Sequence, residues 1–134
     1  MSRKFTQLVI LLFSFMCIAQ AQSNNFLGEW KNSNPTRGIT RLIISQDKGA
    51  WHVQAWGKCH PRDCDWGKTE LKLLGDSITD KSAKYAFAYW DKDFVDSYIT
   101  LRFDKGVLVA EVFKCFKDKS KRLDYRSVYT LKKH

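Results

Sequence analysis

The sequence predicts an all-β protein, a single eight-stranded antiparallel up-and-down barrel. Three observations point there. Apolar and aromatic residues alternate with polar ones in short runs, each run closes on a turn signal, and no long helical period intervenes. Short connections favour antiparallel neighbours in sequence order, and closing the meander removes exposed strand edges.

The elements follow in order. The first strand is expected over 27–31 and closes at Asn32-Ser33-Asn34-Pro35; the second covers 39–45 and ends at Gln46-Asp47-Lys48-Gly49. The third, 51–56, alternates Trp51, Val53 and Ala55 with His52, Gln54 and Trp56, which leaves a tryptophan on each face. After the loop containing Cys59 and Cys64, the fourth runs over 69–74, and 76–84 has room for one helical turn. The fifth, 85–90, sets Tyr85, Phe87 and Tyr89 against Ala86, Ala88 and Trp90. The sixth covers 98–103, Asp104-Lys105-Gly106 reads as a tight hairpin into the seventh, 107–116, and the eighth covers 123–131. Aromatic and β-branched side chains suit a half-buried pleated surface, which is why these runs read as strands.

Ahead of the strands, Arg3 and Lys4 precede an apolar run over 8–18, then Ala19-Gln20-Ala21 and a polar stretch. This is the order of a cleavable signal peptide, expected over 1–21, and the run is too short to span a bilayer. The predicted mature domain is 22–134, with no membrane span and a secreted or periplasmic destination. Losing Arg3 and Lys4 takes the formal charge from +9 to +7. Cys59, Cys64 and Cys115 remain in this domain.

The loop Cys59-His60-Pro61-Arg62-Asp63-Cys64 admits three chemistries. A disulfide suits an oxidising compartment and the proximity of hairpin ends. Zinc would use Cys59, His60 and Cys64 with Asp63 or Asp65, but adjacent Cys59 and His60 point apart on a strand and no second ligand cluster follows. A redox pair wants a tighter spacing at a helix start. The disulfide Cys59–Cys64 is the expectation, with no metal and no cofactor.

Leu27-Gly28-Glu29-Trp30 resembles the Gly-x-Trp signature of the lipocalins and related calycin barrels, and the expected strand count is similar. The resemblance implies that Trp30 plugs one barrel end beneath a basic residue from the last strand, with Arg126 in that place and Arg122 the second choice. It also implies a small-ligand carrier rather than an enzyme. The residues themselves add no catalytic constellation: His52, His60 and His134 are scattered, and Cys115 has no histidine nearby.

Two functions follow as expectations. In the first, the barrel binds a small apolar or aromatic ligand, with Trp51, Tyr85, Phe87 and Tyr89 lining a cavity and the cysteine loop at its mouth. In the second, a filled barrel presents Trp56, Trp66, Trp90 and the basic stretch 114–122 to an acidic protein or cell-envelope component, as a surface-binding or inhibitor module. That stretch holds Lys114, Lys117, Lys119, Lys121 and Arg122. Charge alone does not make it a nucleic-acid site, because no binding motif accompanies it.

Overall fold

A computed structural model describes residues 25–134; the expected signal peptide lies outside the described residues. The chain forms eight strands: β1 (Gly28–Asn32), β2 (Ile39–Asp47), β3 (Ala50–Gly57), β4 (Cys64–Leu74), β5 (Tyr85–Asp91), β6 (Val95–Asp104), β7 (Val107–Phe116) and β8 (Tyr125–Lys133). They close into one antiparallel barrel in sequence order, β8 returning to β1. No helix forms among the described residues, so the turn expected over 76–84 is irregular chain, tied by Asp76, Asp80 and Lys84. Strands β4 and β6 start earlier than the sequence indicated, at Cys64 and Val95, because pairing with β3 and β7 carries extended backbone up to the loops.

Two hairpins share one sequence device. Lys48-Gly49 joins Asp47 to Ala50, and Lys105-Gly106 joins Asp104 to Val107, with positive φ at both residues of each turn. That double left-handed geometry matches the strand twist in two-residue hairpins.

Alternation then assigns the faces. Leu42, Ile44, Val53, Ala55, Leu71, Ala86, Ala88, Ile99, Leu101, Leu108, Ala110, Val112 and Leu131 are buried and form the barrel core. An eight-stranded barrel leaves an interior barely wide enough for its own side chains. Ala55, Ala86, Ala88 and Ala110 leave room there for the larger neighbours.

The two ends differ. One carries the N-terminal approach and the β2–β3, β4–β5 and β6–β7 connections, and it is plugged. Phe26 and Trp30 pack on Phe103 at centroid distances of 4.7 and 5.8 Å, and the Trp30 indole N–H donates to the Phe26 carbonyl at 2.9 Å. The cation over Trp30 is Lys133, 5.4 Å from the ring centroid. Arg126 instead lies on the outer wall and binds Glu111 at 2.9 Å, while Arg122 covers Phe116. Register explains the correction: β8 meets β1 only through Leu131, Lys132 and Lys133, so Arg126 sits too far along the strand to reach Trp30.

The other end carries the β1–β2, β3–β4, β5–β6 and β7–β8 connections. Here β1 has already ended, and the upper part of β8 faces the β1–β2 connection rather than a strand.

Candidate functional site

The open end is built around one irregularity. Between β3 and β4 the register steps from Ala55↔Gly67 to Trp56↔Asp65, which leaves Trp66 as an unpaired bulge residue. A bulge re-aims a side chain, and this one swings the indole over the barrel mouth. Gly57 makes the space: a Cβ there would lie 2.7 Å from the Trp66 indole nitrogen. Trp90, on the inner face of β5, meets Trp66 edge to face at 5.7 Å and 83°, a favourable arrangement of the ring quadrupoles. Its indole N–H donates to the Gly67 carbonyl at 2.9 Å, so the bulge and the tryptophan pair hold each other.

Opposite them, inward alternation continues to the strand ends. On β6 it runs Val95, Ser97, Ile99; on β7 it runs Ala110, Val112, Lys114. Ser97 and Lys114 are direct cross-strand partners. The Lys114 ammonium donates to Ser97 Oγ at 2.6 Å and stands 3.6 Å from the Trp66 ring centroid. Burial, and secondarily the positive charge of Lys92, pull its pKa down to about 8. Ser97 is only 1% exposed.

These groups wall a cavity of about 440 Å³, bounded by Trp66, Trp90, Phe94, Ser97, Lys114 and the cysteine loop. A smaller recess of about 200 Å³ shares Trp66 and Lys114 and reaches Tyr125 and Tyr129 of β8. A larger one, about 710 Å³, runs along the seam between β8 and the β1–β2 connection. Its walls are mostly polar side chains such as Asn32, Ser33, Asn34 and Arg37, whereas small-molecule sites are mostly apolar with a few placed polar groups. The mouth matches that description better.

Cys59 and Cys64 form a disulfide across the β3–β4 loop, with Cα atoms 5.4 Å apart, at the rim of the mouth cavity. Closing so short a loop stabilises by about 2 kcal/mol in the chain-entropy account. The Cys59→Ser/Cys64→Ser double variant is expected to lose about that much in urea unfolding, and an unchanged midpoint would count against a stabilising staple. The remaining thiol, Cys115, is half-buried on the outward-facing register of β7, not enclosed in the core.

The seven aromatic residues expected at a ligand site separate into four places. Trp66 and Trp90 meet at the mouth. Trp51 points inward but packs against the core near the plugged end, six residues along β3 from Gly57 and so ~20 Å away. Trp56 faces outward beneath Arg41, whose guanidinium carbon is 3.8 Å from the ring. Tyr85, Phe87 and Tyr89 line the outside of β5, which corrects the expectation that they line the cavity. Tyr89 stacks on Tyr98 at 4.9 Å and Phe87 on the same ring at 6.2 Å. Tyr85 donates to Asp76 and Tyr89 to Asp96, a bond that pushes the Tyr89 phenol up to about 12. The narrow interior admits Ala86 and Ala88, and the bulky face of the strand turns out.

The basic stretch divides as well. Lys117 binds Asp91 and Asp96, and Arg122 binds Asp118, while Lys114 lies inside the mouth. Ser97 is the site residue that sequence reasoning missed, and Lys114 was read only as part of the basic stretch, not as a residue inside the barrel end. Their signal was the unbroken alternation of β6 and β7, which places both on the side of Ile99 and Val112. Scans against protein-family models, curated proteins and solved structures return no match for this chain.

Proposed function

We propose that this is a secreted or periplasmic, non-catalytic binding protein of lipocalin-like build, which takes a small apolar or aromatic ligand at the open end of its barrel. The observation that carries the reading is the Trp66–Trp90 pair walling a cavity of about 440 Å³. That volume falls within the ~300–1,000 Å³ of small-molecule sites. The plugged end behind Trp30 and the closed Cys59–Cys64 loop support a mouth shaped before the ligand arrives. Export is supported by the signal-like N-terminal sequence and by the disulfide, which persists in oxidising compartments.

The alternative, an outer surface recognising an acidic protein or envelope component, has less behind it. Lys117 and Arg122 already have carboxylate partners, and Trp66 and Trp90 face the mouth. What favours it is the half-exposed stack of Phe87, Tyr98 and Tyr89 on the barrel wall.

Titration with indole, 2-naphthol, 2-naphthoate and decanoate tests the first reading through tryptophan emission. A saturable change is expected with at least one aromatic probe in the parent and in Trp56→Phe, and its loss is expected in Trp66→Ala. Unchanged emission across all four probes would overturn the mouth as a ligand site.

A further inference from the structure

From the position of Lys114 and Ser97 in the mouth we infer that the ligand is acidic: an aromatic monocarboxylate whose head group sits on these two residues and whose ring lies against Trp66 and Trp90. The inference rests on the proposed ligand site and specifies its chemistry.

The charge pattern is the first support. Lys114 forms no ion pair among the described residues, although its ammonium lies within the barrel end. Lys114 is half-buried, and a partly desolvated cation without a counter-ion carries a cost that a bound anion relieves. The carboxylates at the rim do not serve. Asp65 accepts from the Gly67 backbone N–H and from Gln54, and Asp91 is held by Lys117. Asp93 lines the mouth but makes no ion pair with Lys114. The other charged groups around the two recesses are cations, Lys58 on the β8 side and Lys92 on the β5–β6 side; Tyr125 and Tyr129 complete the wall from β8.

Ser97 is the second support. Its Oγ accepts from Lys114, so its own proton remains to be donated, and no acceptor for it occurs among the described residues. The hydroxyl lines the mouth cavity at 1% exposure. An ammonium and a hydroxyl 2.6 Å apart present two donors to one side of the cavity. A carboxylate has two oxygens to receive them, and charge-assisted bonds of this kind are the stronger class. Lys114 is a point charge, and Ser97 supplies the second donor that a guanidinium fork would carry by itself. The apolar body of the ligand then meets Phe94, Val95 and the two indoles, which line the same cavity.

Calorimetry with 2-naphthoate and its neutral isostere 2-naphthamide tests the inference. At pH 7 the acid is expected to bind at least tenfold more tightly than the amide. Lys114→Met should erase that difference, chiefly by weakening the acid, and Lys114→Arg should keep part of it. Thermal melts of both variants confirm folding independently of binding. Between pH 8 and pH 9.5 the acid should weaken severalfold toward the affinity of the amide, by at most about tenfold per pH unit, as the amine loses its proton. Equal binding of acid and amide to the parent, or a preference that survives Lys114→Met, would overturn the acidic-ligand inference and leave an aromatic site standing. Failure of both probes to bind would overturn the ligand site and the inference together.

Discussion

Replacing Trp30 with alanine is expected to cost about 3–5 kcal/mol of folding stability, the range for deleting a large buried aromatic. Trp30 is 2% exposed and forms, with Phe26 and Phe103, the plug of the closed barrel end. Its removal opens a void that rigid strands on every side cannot collapse to fill. It also leaves the Phe26 carbonyl without its donor and Lys133 without the ring beneath it. A lost buried hydrogen bond adds about 1 kcal/mol to such a change. Trp56→Ala is the control, because that ring faces outward under Arg41 and its loss removes a surface cation–π contact. Such a contact is worth about 0.5–1 kcal/mol at an exposed site. Urea unfolding of the two variants should therefore show well-separated midpoints. Equal losses at Trp30 and Trp56 would contradict the plug.

Gly38→Ala is expected to cost about 2–4 kcal/mol, from left-handed backbone strain together with overpacking. Gly38 has φ of +66°, and a Cβ there would come within 2.6 Å of Tyr129 Cε1 and closer still to its hydroxyl. Tyr129 cannot retreat freely, because it packs against the core and its hydroxyl donates to Ser127 at 3.0 Å. The contact closes the seam where β8 has no strand partner, so the variant should loosen the β1–β2 connection as well as lower stability. Gly49→Ala isolates the backbone share: φ is +81° but nothing lies within 4 Å of the added carbon. Its expected loss is about 1 kcal/mol. If the two alanines cost the same by urea unfolding, the Gly38–Tyr129 packing contributes nothing.

Both experiments bear on barrel architecture, much of which was visible in the chain. The Lys-Gly turns, the alternating runs and the cysteine spacing are local signals, and local signals survive without knowledge of distant neighbours. The Gly-x-Trp segment likewise pointed to Trp30 as an end plug. It did not reveal which cation covers it, because reaching Lys133 instead of Arg126 depends on the register between the first and last strands. The candidate site was harder still. Trp66 reads as a loop residue until β4 is seen to begin at Cys64 and to bulge against β3. Lys114 reads as the start of a basic turn until its inward register opposite Ser97 is known.

Strand number, turn positions, antiparallel order and the Cys59–Cys64 pairing were thus determined by the sequence alone, each through interactions between residues close along the chain. Which face of a strand looks inward was decided only by the closed barrel. On β5 both faces are apolar, Tyr85, Phe87 and Tyr89 against Ala86, Ala88 and Trp90, so periodicity cannot rank them. The interior of eight strands is too narrow for the bulky face, and the alanines go inside. The same closure brings Trp66, Trp90, Ser97 and Lys114, from four different strands, to one rim. Trp90, Ser97 and Lys114 are already lateral partners on neighbouring strands, but only the curvature of the barrel lays Trp66 of β4 over Lys114 of β7.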